Sequence, residues 1–300
     1  MSTVSKKIKL KGNESFNFRE GWLRKGMRSI IANPKAFSAD DIMEQLGVGS
    51  KMVKSIRFWL QATGLAYEEI VDGGRCRAQY LTSFGHIVSE YDPYFDDIFT
   101  LWIIHYHIVS NESLCIAWNM FFNEFSGNEF TKEEMLNVLR VKLLKRIPQS
   151  QSFSESSLED DCQSILKMYL PEENITTPEE SLACPLSELG LLARDSISGS
   201  RFSKSMPKSS DLDLLVVFYV MLKNLSEDKL SVSIADLLSQ HNNIGHVFNL
   251  NRIMLGDYLD KLRALKLISI NRTAGLDMVY IDRYISPDSI LRRYYNDARK

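Results

Sequence analysis

A segment near the start of the chain carries the residue types that bind nucleic acid. In LGVGSKMVKSIRFWLQATGL (46–65), a helical period of 100° per residue places most apolar side chains on one face. The other face has three positive charges, no negative charge, and hydroxyl and amide groups between them. Lysine and arginine neutralise phosphates, while serine and glutamine can reach base edges in the major groove. The predicted DNA contacts on this face, beginning just after Ser50, are Lys51, Lys54, Ser55, Arg57, Phe58 and Gln61.

The same pattern has a second interpretation. An amphipathic helix whose basic side is only solvated has the same arrangement of charges, and winged-helix modules are also used for protein contacts. The basic face therefore leaves two alternatives open, DNA binding and protein binding.

The residues before this segment predict two helices. A first helix over 20–32 ends at Asn33-Pro34, because proline lacks a backbone donor and restricts the residue before it. Ser38 is expected to cap a short second helix over 39–46.

Two glycines predict a tight turn before the basic helix. Gly47 and Gly49 bracket this turn, and Ser50 is expected to cap a third helix that runs to about Ala62. A helix, a short helix, a turn and a further helix, in this order, are the outline of a helix-turn-helix.

A β-hairpin is predicted directly after the third helix. In AYEEIVDGGRCRAQYLT (66–82), two short runs flank Asp72-Gly73-Gly74, and glycine accepts the positive φ that tight hairpins need. A hairpin in this position is the wing of a winged helix. Arg75 and Arg77 lie just past its tip, where we predict contacts with flanking phosphates.

The same outline recurs after Asp211. A helix, a short helix, a longer helix over 251–265 and a hairpin around Ala274-Gly275 follow in order. The outward face of the longer helix carries Asp257 and Asp260, and carboxylates repel phosphate. The C-terminal module is therefore predicted to pack or to bind a protein partner.

These patterns predict a mainly α fold in which winged helix-turn-helix modules are joined by a helical body. The predicted domains are an N-terminal winged helix-turn-helix over 1–92, an acidic helical middle domain over 93–192 and a C-terminal winged-helix-like domain over 193–300.

Charge is unevenly distributed along the chain. Residues 1–80 carry 14 Lys and Arg against 8 Asp and Glu, residues 81–200 carry 7 against 19, and residues 201–300 carry 15 against 11. A positive end joined to a negative body is typical of a protein that binds a polyanion at one end.

Composition excludes several classes of protein. The sequence contains no run of about 18 apolar residues, the length that a helix needs to span a membrane. No apolar stretch follows the basic N-terminus, which argues against a secretory signal. The four cysteines are far apart, which indicates reduced thiols in the cytoplasm and argues against a zinc ribbon or a disulfide framework. They are Cys76, Cys115, Cys162 and Cys184.

The sequence predicts no catalytic residue, no cofactor and no metal site. His105 and His107 are two residues apart on a predicted helix, so they face different sides and cannot bind one metal ion together. Adjacent acids such as Asp160-Asp161 also face apart and are interpreted as solvated or helix-start residues. No glycine-rich loop follows a buried strand, which excludes a phosphate-cradling loop.

Three segments resemble a bacterial family known only as the domain of unknown function number four-thousand-and-seven. They are NESFNFREGWLRKG (13–26), LGVGSKMVKSIRFWLQATGL (46–65) and CPLSELGLL (184–192). The resemblance covers nearly the whole chain and is strongest over the first 65 residues. Asn13 stands where the family has histidine. Genes of this family tend to lie beside Dnd-like sulfur-transfer genes, so the resemblance implies a role in DNA phosphorothioation or a related sulfur-based phage defence. The family has no assigned catalytic residue, so the resemblance transfers none.

Together these features predict a non-enzymatic, cytoplasmic, DNA-binding component of such a system, which places or regulates partner enzymes on double-stranded DNA. A basic arm would assist it, and the acidic middle or the C-terminal domain would bind sulfur-transfer or defence proteins. A homodimer is compatible with this interpretation. Two alternatives stay open: a transcriptional regulator of its own operon, which requires a palindromic dimer site, and a scaffold for the sulfurtransferase without DNA contact. The basic arm consists of Lys6, Lys7, Lys9 and Lys11.

Overall fold

The computed structural model describes residues 8–19, 21–148, 152–171, 184–195, 199–273 and 276–299. The fold is mainly α, with small antiparallel sheets. The helices are Trp22–Ala32 (α1), Ile42–Leu46 (α2), Ser50–Ala62 (α3), Ser83–Tyr91 (α4), Ile98–Ser110 (α5), Ile116–Glu124 (α6), Lys132–Arg146 (α7), Glu155–Tyr169 (α8), Leu214–Lys223 (α9), Ile234–Ser239 (α10), Ile244–Val247 (α11), Arg252–Ala264 (α12) and Pro287–Ala298 (α13). The strands are Ala66–Val71 (β1), Cys76–Leu81 (β2), Glu129–Thr131 (β3), Leu192–Arg194 (β4), Arg201–Lys204 (β5), Ser231–Ser233 (β6), Ile268–Thr273 (β7) and Leu276–Ile281 (β8).

The second helix is shorter than predicted. A 3₁₀ turn occupies Ala36–Ser38, and α2 begins only at Ile42. The expected cap at Ser38 is wrong, because the Ser38 hydroxyl donates instead to the backbone oxygen of Arg77 at 2.9 Å. This bond attaches the segment before α2 to strand β2.

The turn between α2 and α3 is built on glycine, as predicted. Gly47 ends α2 with a φ of 67°, in the left-handed region that side chains disfavour. The N-cap of α3 is Gly49 rather than Ser50, and glycine has no side chain that could accept a hydrogen bond from the first turn. The start of α3 is thus left without a capping side chain.

The predicted hairpin after α3 is confirmed. Strands β1 and β2 pair antiparallel, from Ala66 opposite Leu81 to Val71 opposite Cys76. Asp72–Gly74 form the turn, in which Gly73 and Gly74 both have positive φ.

The C-terminal elements follow the predicted order. Helix α9 is followed by β6, α10, α11, α12 and a hairpin of β7 and β8, and the sheet has the order β6–β8–β7. Asp257 and Asp260 on α12 are exposed, as predicted. The predicted turn at Ala274-Gly275 lies outside the described residues.

One further sheet joins the middle of the chain to its C-terminal third. Strand β5 pairs with both β3 and β4. At the end of β5, the Lys204 ammonium donates to the backbone oxygens of Phe121, Phe122 and Phe125 at the end of α6. Burial lowers the pKa of Lys204 to about 7. This lysine satisfies carbonyls that the end of a helix leaves without an intrahelical partner.

The helical body is centred on α5, which is buried on nearly every side. His105 is fully buried, with its Nδ1 2.7 Å from the Tyr169 hydroxyl and its Nε2 2.7 Å from the Val247 backbone oxygen. His107 faces another side and lies 3.1 Å from the Tyr219 hydroxyl. His105 is a core residue and His107 is half-buried, and the two face apart, as the sequence predicted.

Buried side chains form one connected core across the three predicted domains. Trp59 of α3 packs edge-on against Trp118 of α6, with ring centroids 5.7 Å apart. Tyr294 of α13 stacks on Phe99 of α5 at 3.7 Å. The proposed division of the chain at residues 92 and 192 stays a prediction.

The state of the cysteines and the character of the helices agree with the expectations drawn from composition. Cys115, Cys162 and Cys184 are buried free thiols, and Cys76 is half-buried in β2. Within the described ranges, no helix combines the length and apolar character that crossing a bilayer requires.

Candidate nucleic-acid interface

The first turns of α3 form an exposed basic surface. Ser50, Lys51 and Lys54 are all exposed, as predicted. Neither lysine makes an ion pair with a described residue. The uncapped backbone N–H groups of the first turn add positive character at the same end of the helix. This end of α3 can therefore accept an anionic group.

Arg57, one turn further along α3, is already paired with an acid within the protein. Its guanidinium lies 2.5 Å from one carboxylate oxygen of Glu68 on β1, and Arg77 of β2 lies 2.8 Å from the other. Glu68 is largely buried between them. The Glu68 carboxylate thus holds both arginine side chains at the hairpin. It also weakens the attraction of their charges for a phosphate outside the protein.

Two further residues predicted to contact DNA, Arg75 at the hairpin and Gln61 on α3, differ in how free their side chains are to bind a ligand. Arg75 is exposed beside the hairpin turn and makes no ion pair in the part of the chain described. Gln61 is half-buried, and its amide donates to the backbone oxygen of Arg57 at 3.2 Å. Arg75 is available to a ligand, while Gln61 is partly committed to its own helix.

The predicted exposure of Ser55 and Phe58 is wrong. Ser55 is fully buried and Phe58 is only 4% exposed. The Ser55 hydroxyl and the Trp59 indole both donate to the backbone oxygen of Phe16, at 3.1 and 2.8 Å. The second half of α3 is covered by the segment that contains Phe16.

This covering segment, residues 8–18, is named the N-terminal strap. Gly12 passes directly over the Phe58 ring, where a Cβ atom would lie 2.4 Å from ring carbon Cε2. The Lys9 ammonium lies 5.7 Å from the centroid of the same ring. Of the predicted basic arm, Lys9 is exposed beside α3, and Lys6 and Lys7 lie outside the described residues.

The other side of the strap is attached to α8. The backbone N–H of Lys11 donates to both carboxylate oxygens of Asp161, at 3.1 Å each, and the Lys11 ammonium pairs with Asp160 at 2.6 Å. The interpretation of Asp161 as a solvated acid is wrong, since it is only 2% exposed. Burial raises the pKa of Asp161 to about 7.

Asn13, where the family resemblance predicts a histidine, is part of the same attachment. It is buried, its amide donates to the Ser164 hydroxyl at 3.0 Å, and its Oδ1 accepts from the backbone N–H of Ser15 at 3.2 Å. These contacts give Asn13 a structural role in shaping the strap.

Helix α2 limits the basic surface on one side. Asp40 and Asp41, just before α2, and Glu44 within it are exposed, so the positive region is confined to the start of α3, Lys9 and the hairpin turn.

Helix α12, the counterpart of α3 in the C-terminal elements, presents a different surface. It exposes Asp257 and Asp260 together with Ile253, whose side chain is 77% exposed. Its N-terminus is capped by Asn251, which accepts from the backbone N–H of Met254. The centre of this face is apolar and acidic, with Arg252, Lys261 and Arg263 exposed along the same helix. Acids at the centre and a capped helix start make it less suited to phosphate than the start of α3.

Sequence reasoning missed two parts of this site, the strap and Glu68. Phe58 was the available signal, because an aromatic residue outside the apolar stripe of a helix indicates a second covered face. In the described ranges, no three His, Cys, Asp or Glu side chains are placed to hold a metal ion.

Comparison with known proteins assigns the chain to a family. Two solved structures resemble it along almost its whole length. A "magnesium ion-bound SspB crystal structure" has a TM-score of 0.86 and 25% sequence identity, covering 97% of this chain and 89% of that chain. An "SspB crystal structure" has a TM-score of 0.86 and 24% identity, covering 100% and 92%. No curated protein matches the sequence. Residues 10–295 match the model of a family described as a protein of unknown function, DUF4007, and the chain belongs to this family.

Proposed function

We propose that this protein is a DNA-binding component of a DNA sulfur-modification or related phage-defence system. It places or regulates partner enzymes on double-stranded DNA and has no catalytic activity of its own. The observation that carries the proposal is the start of α3, where Lys51 and Lys54 are exposed and unpaired within the described residues beside a helix terminus without a capping side chain. Lysines and helix N-termini are both common donors to DNA phosphates.

The elements around this surface support a winged-helix interpretation. Helices α1 to α3 followed by the β1–β2 hairpin have the order of a winged helix, and Arg75 lies at the hairpin turn where wings meet phosphate. The C-terminal α9, α10, α12, β7 and β8 follow a similar order, with strand β6 and the short helix α11 added. The aspartates at the centre of the outward face of α12 support protein contacts for the second module.

The related structures support the pathway. Both carry the name SspB and match this chain along nearly its full length. They fit the phosphorothioation and phage-defence context that the family resemblance implies. The partners proposed here are sulfur-transfer or defence-system proteins, bound through the acidic middle or the C-terminal elements.

A binding titration with two matched double variants tests DNA contact. Labelled duplex, plain or phosphorothioated, is titrated with the wild-type protein and with Lys51→Glu/Lys54→Glu, with and without Mg²⁺. We expect the wild type to bind and this variant to lose binding, because two contacts would become repulsive. The control, Lys261→Glu/Lys266→Glu, makes the same charge change around α12 and should bind normally. Equal binding by wild type and both variants would overturn the proposal.

A scaffold without DNA contact is the second candidate. It is favoured by the burial of Ser55 and Phe58, the pairing of Arg57 with Glu68, and the exposed acids in and just before α2. Capture of a sulfurtransferase by a protein that shifts no duplex at low salt would support it.

Two further experiments separate the remaining alternatives. A footprint confined to one palindromic operator would favour a regulator of the protein's own operon, whereas dispersed or sulfur-dependent protection supports targeting. Incubation with circular DNA and Mg²⁺ tests the proposal that the protein has no catalytic activity of its own. Breakage of a DNA strand would overturn that part of the proposal. The magnesium ion named for one related structure makes this ion the appropriate addition.

A further inference from the structure

Helix α7 has one buried face and one face that contacts solvent. Met135, Leu139 and Leu143 are fully buried, and the helix packs on α6, α8 and β3. The opposite face carries three large apolar side chains, Val138, Val141 and Leu144, which are 37%, 52% and 56% exposed. An amphipathic helix normally turns polar residues to water, so this second apolar face needs a partner.

The residues on the exposed face have the spacing of a helix–helix seam. Glu134, Val138, Val141 and Lys145 are separated by four, three and four residues. At 100° per residue they fall within about 60° of one another, and alternating steps of three and four are the pattern by which two helices pack along their length. Glu134 and Lys145 are also exposed.

The order of these four residues is self-complementary. An acid lies at one end, a base at the other, and two valines lie between them. In an antiparallel pair of such helices, each acid therefore faces a base. The helix dipole favours an acid at the start and a base at the end, but it does not account for exposed valines in the centre.

We propose that α7 pairs antiparallel with α7 of a second copy of this chain. The two-fold axis passes between residues 139 and 140, so each Val138 packs on the partner's Val141 and each Glu134 faces the partner's Lys145. A two-fold interface repeats every contact twice, which gives two ion pairs around a four-valine centre. Leu144 lies beside the seam and extends its apolar part.

The charged groups at both ends are available for these contacts. Glu134 uses one carboxylate oxygen to accept from the backbone N–H of Thr131 at 2.7 Å, and this hydrogen bond holds the pKa of Glu134 below its usual value. Lys145 has no ion pair among the residues described. A single helix pair is small beside standard interfaces, so the dimer is concentration-dependent.

A charge-swap experiment on the full-length protein tests the pairing. Sedimentation is measured over a wide concentration range for the wild type, for Glu134→Lys and for Lys145→Glu. We expect each variant alone to dissociate at least tenfold more readily, because it meets its own copy with two like-charged pairs. An equal mixture of the two variants restores opposite charges at both ends and should regain wild-type dimerisation.

A second variant distinguishes loss of the α7 interface from loss of folding. Val141→Glu should abolish the dimer, while Leu265→Glu, at a residue of similar exposure beside α12, should leave it intact. Circular dichroism checks that each variant is folded, and Glu134→Lys is the one that loses a capping contact. A wild type that is monomeric throughout, a dimer that survives Val141→Glu and Lys145→Glu, or a mixture that stays dissociated would each overturn the proposal.

Discussion

Both carboxylate oxygens of Asp161 lie 3.1 Å from the backbone nitrogen of Lys11, which donates to them across 150 residues of sequence. On the other side of the strap, Phe16 accepts hydrogen bonds from Ser55 and Trp59 of α3. One short segment therefore attaches the candidate DNA-binding helix to the helical body, and its stability decides how much of α3 is covered.

The contribution of Asp161 to stability should decrease as pH rises. Burial raises its pKa from 3.8 to about 7, so between these values the folded protein holds a proton that the unfolded chain releases. Stability falls with pH wherever the folded state binds more protons. Replacing Asp161 by asparagine removes this titration. The wild-type unfolding free energy, relative to Asp161→Asn, should fall by about 2–3 kcal/mol from pH 5 to pH 8.

Denaturant unfolding at four or five pH values checks this prediction. His105 titrates with the opposite sign, because its pKa is lowered to about 4 by burial, but it is present in both proteins and cancels in the difference. Parallel pH profiles for the two proteins would show that Asp161 is ionised in the folded state across this range.

Gly12→Ala should destabilise the strap. The added Cβ would lie 2.4 Å from Cε2 and 2.7 Å from Cδ2 of Phe58, so either the strap or the buried ring must move. Forcing a methyl group into packed surroundings costs about 1–3 kcal/mol. Gly256→Ala is the matched control, since nothing lies within 4 Å of its Cβ position and alanine in a helix is favoured over glycine by about 0.5–1 kcal/mol. Thermal unfolding should shift in opposite directions for the two variants, and equal shifts would contradict the close contact.

Glu68→Gln should lower stability and strengthen DNA binding. The carboxylate pairs with both Arg57 and Arg77. Its removal from a largely buried site should cost about 1–2 kcal/mol, less than for a fully buried pair, because both arginines are partly exposed. The freed guanidinium charges lie beside the candidate phosphate surface. Duplex affinity should therefore rise, measured by titration at constant salt.

The control for this variant removes an ion pair between α12 and β8, among the C-terminal elements. Asp277→Asn breaks the contact of Asp277 with Arg252, which are 3.2 Å apart, and should not change DNA affinity. A Glu68→Gln protein that is less stable yet binds DNA as before would place Arg57 and Arg77 outside the interface.

Local signals were sufficient to predict the helices and the hairpin around the site. The Asn33-Pro34 pair ends α1, glycines form the turn before α3, and Asp72-Gly73-Gly74 form the hairpin turn, because each depends on the backbone preference of one or two residues. The exposed position of Lys51 and Lys54 also followed from helical period alone.

Contacts between distant residues could not be predicted in this way. The burial of Phe58 depends on Gly12, and that of Asp161 depends on the backbone of Lys11, and neither pairing leaves a periodic pattern in the sequence. The pairing of Arg57 with Glu68 joins a helix to a strand. Sorting one helix into two faces assumes that only one face is covered, and the second half of α3 is also covered by the strap.

The salt dependence of duplex binding should show that only a few cationic side chains of the site contact phosphates. Lys51, Lys54 and Arg75 are exposed and have no ion pair with any residue in the described ranges. Each phosphate contact contributes about −0.9 to the slope of log K against log salt, so three contacts predict a slope of about −2.7 and an affinity loss of about 40-fold between 50 and 200 mM salt. Lys51→Gln/Lys54→Gln should flatten the slope to about −1, while Lys261→Gln/Lys266→Gln should not change it. Phosphorothioate keeps the charge of phosphate, so a modified duplex should give the same slope, and any difference in affinity at fixed salt would measure recognition of sulfur. A wild-type slope near zero would instead favour the scaffold.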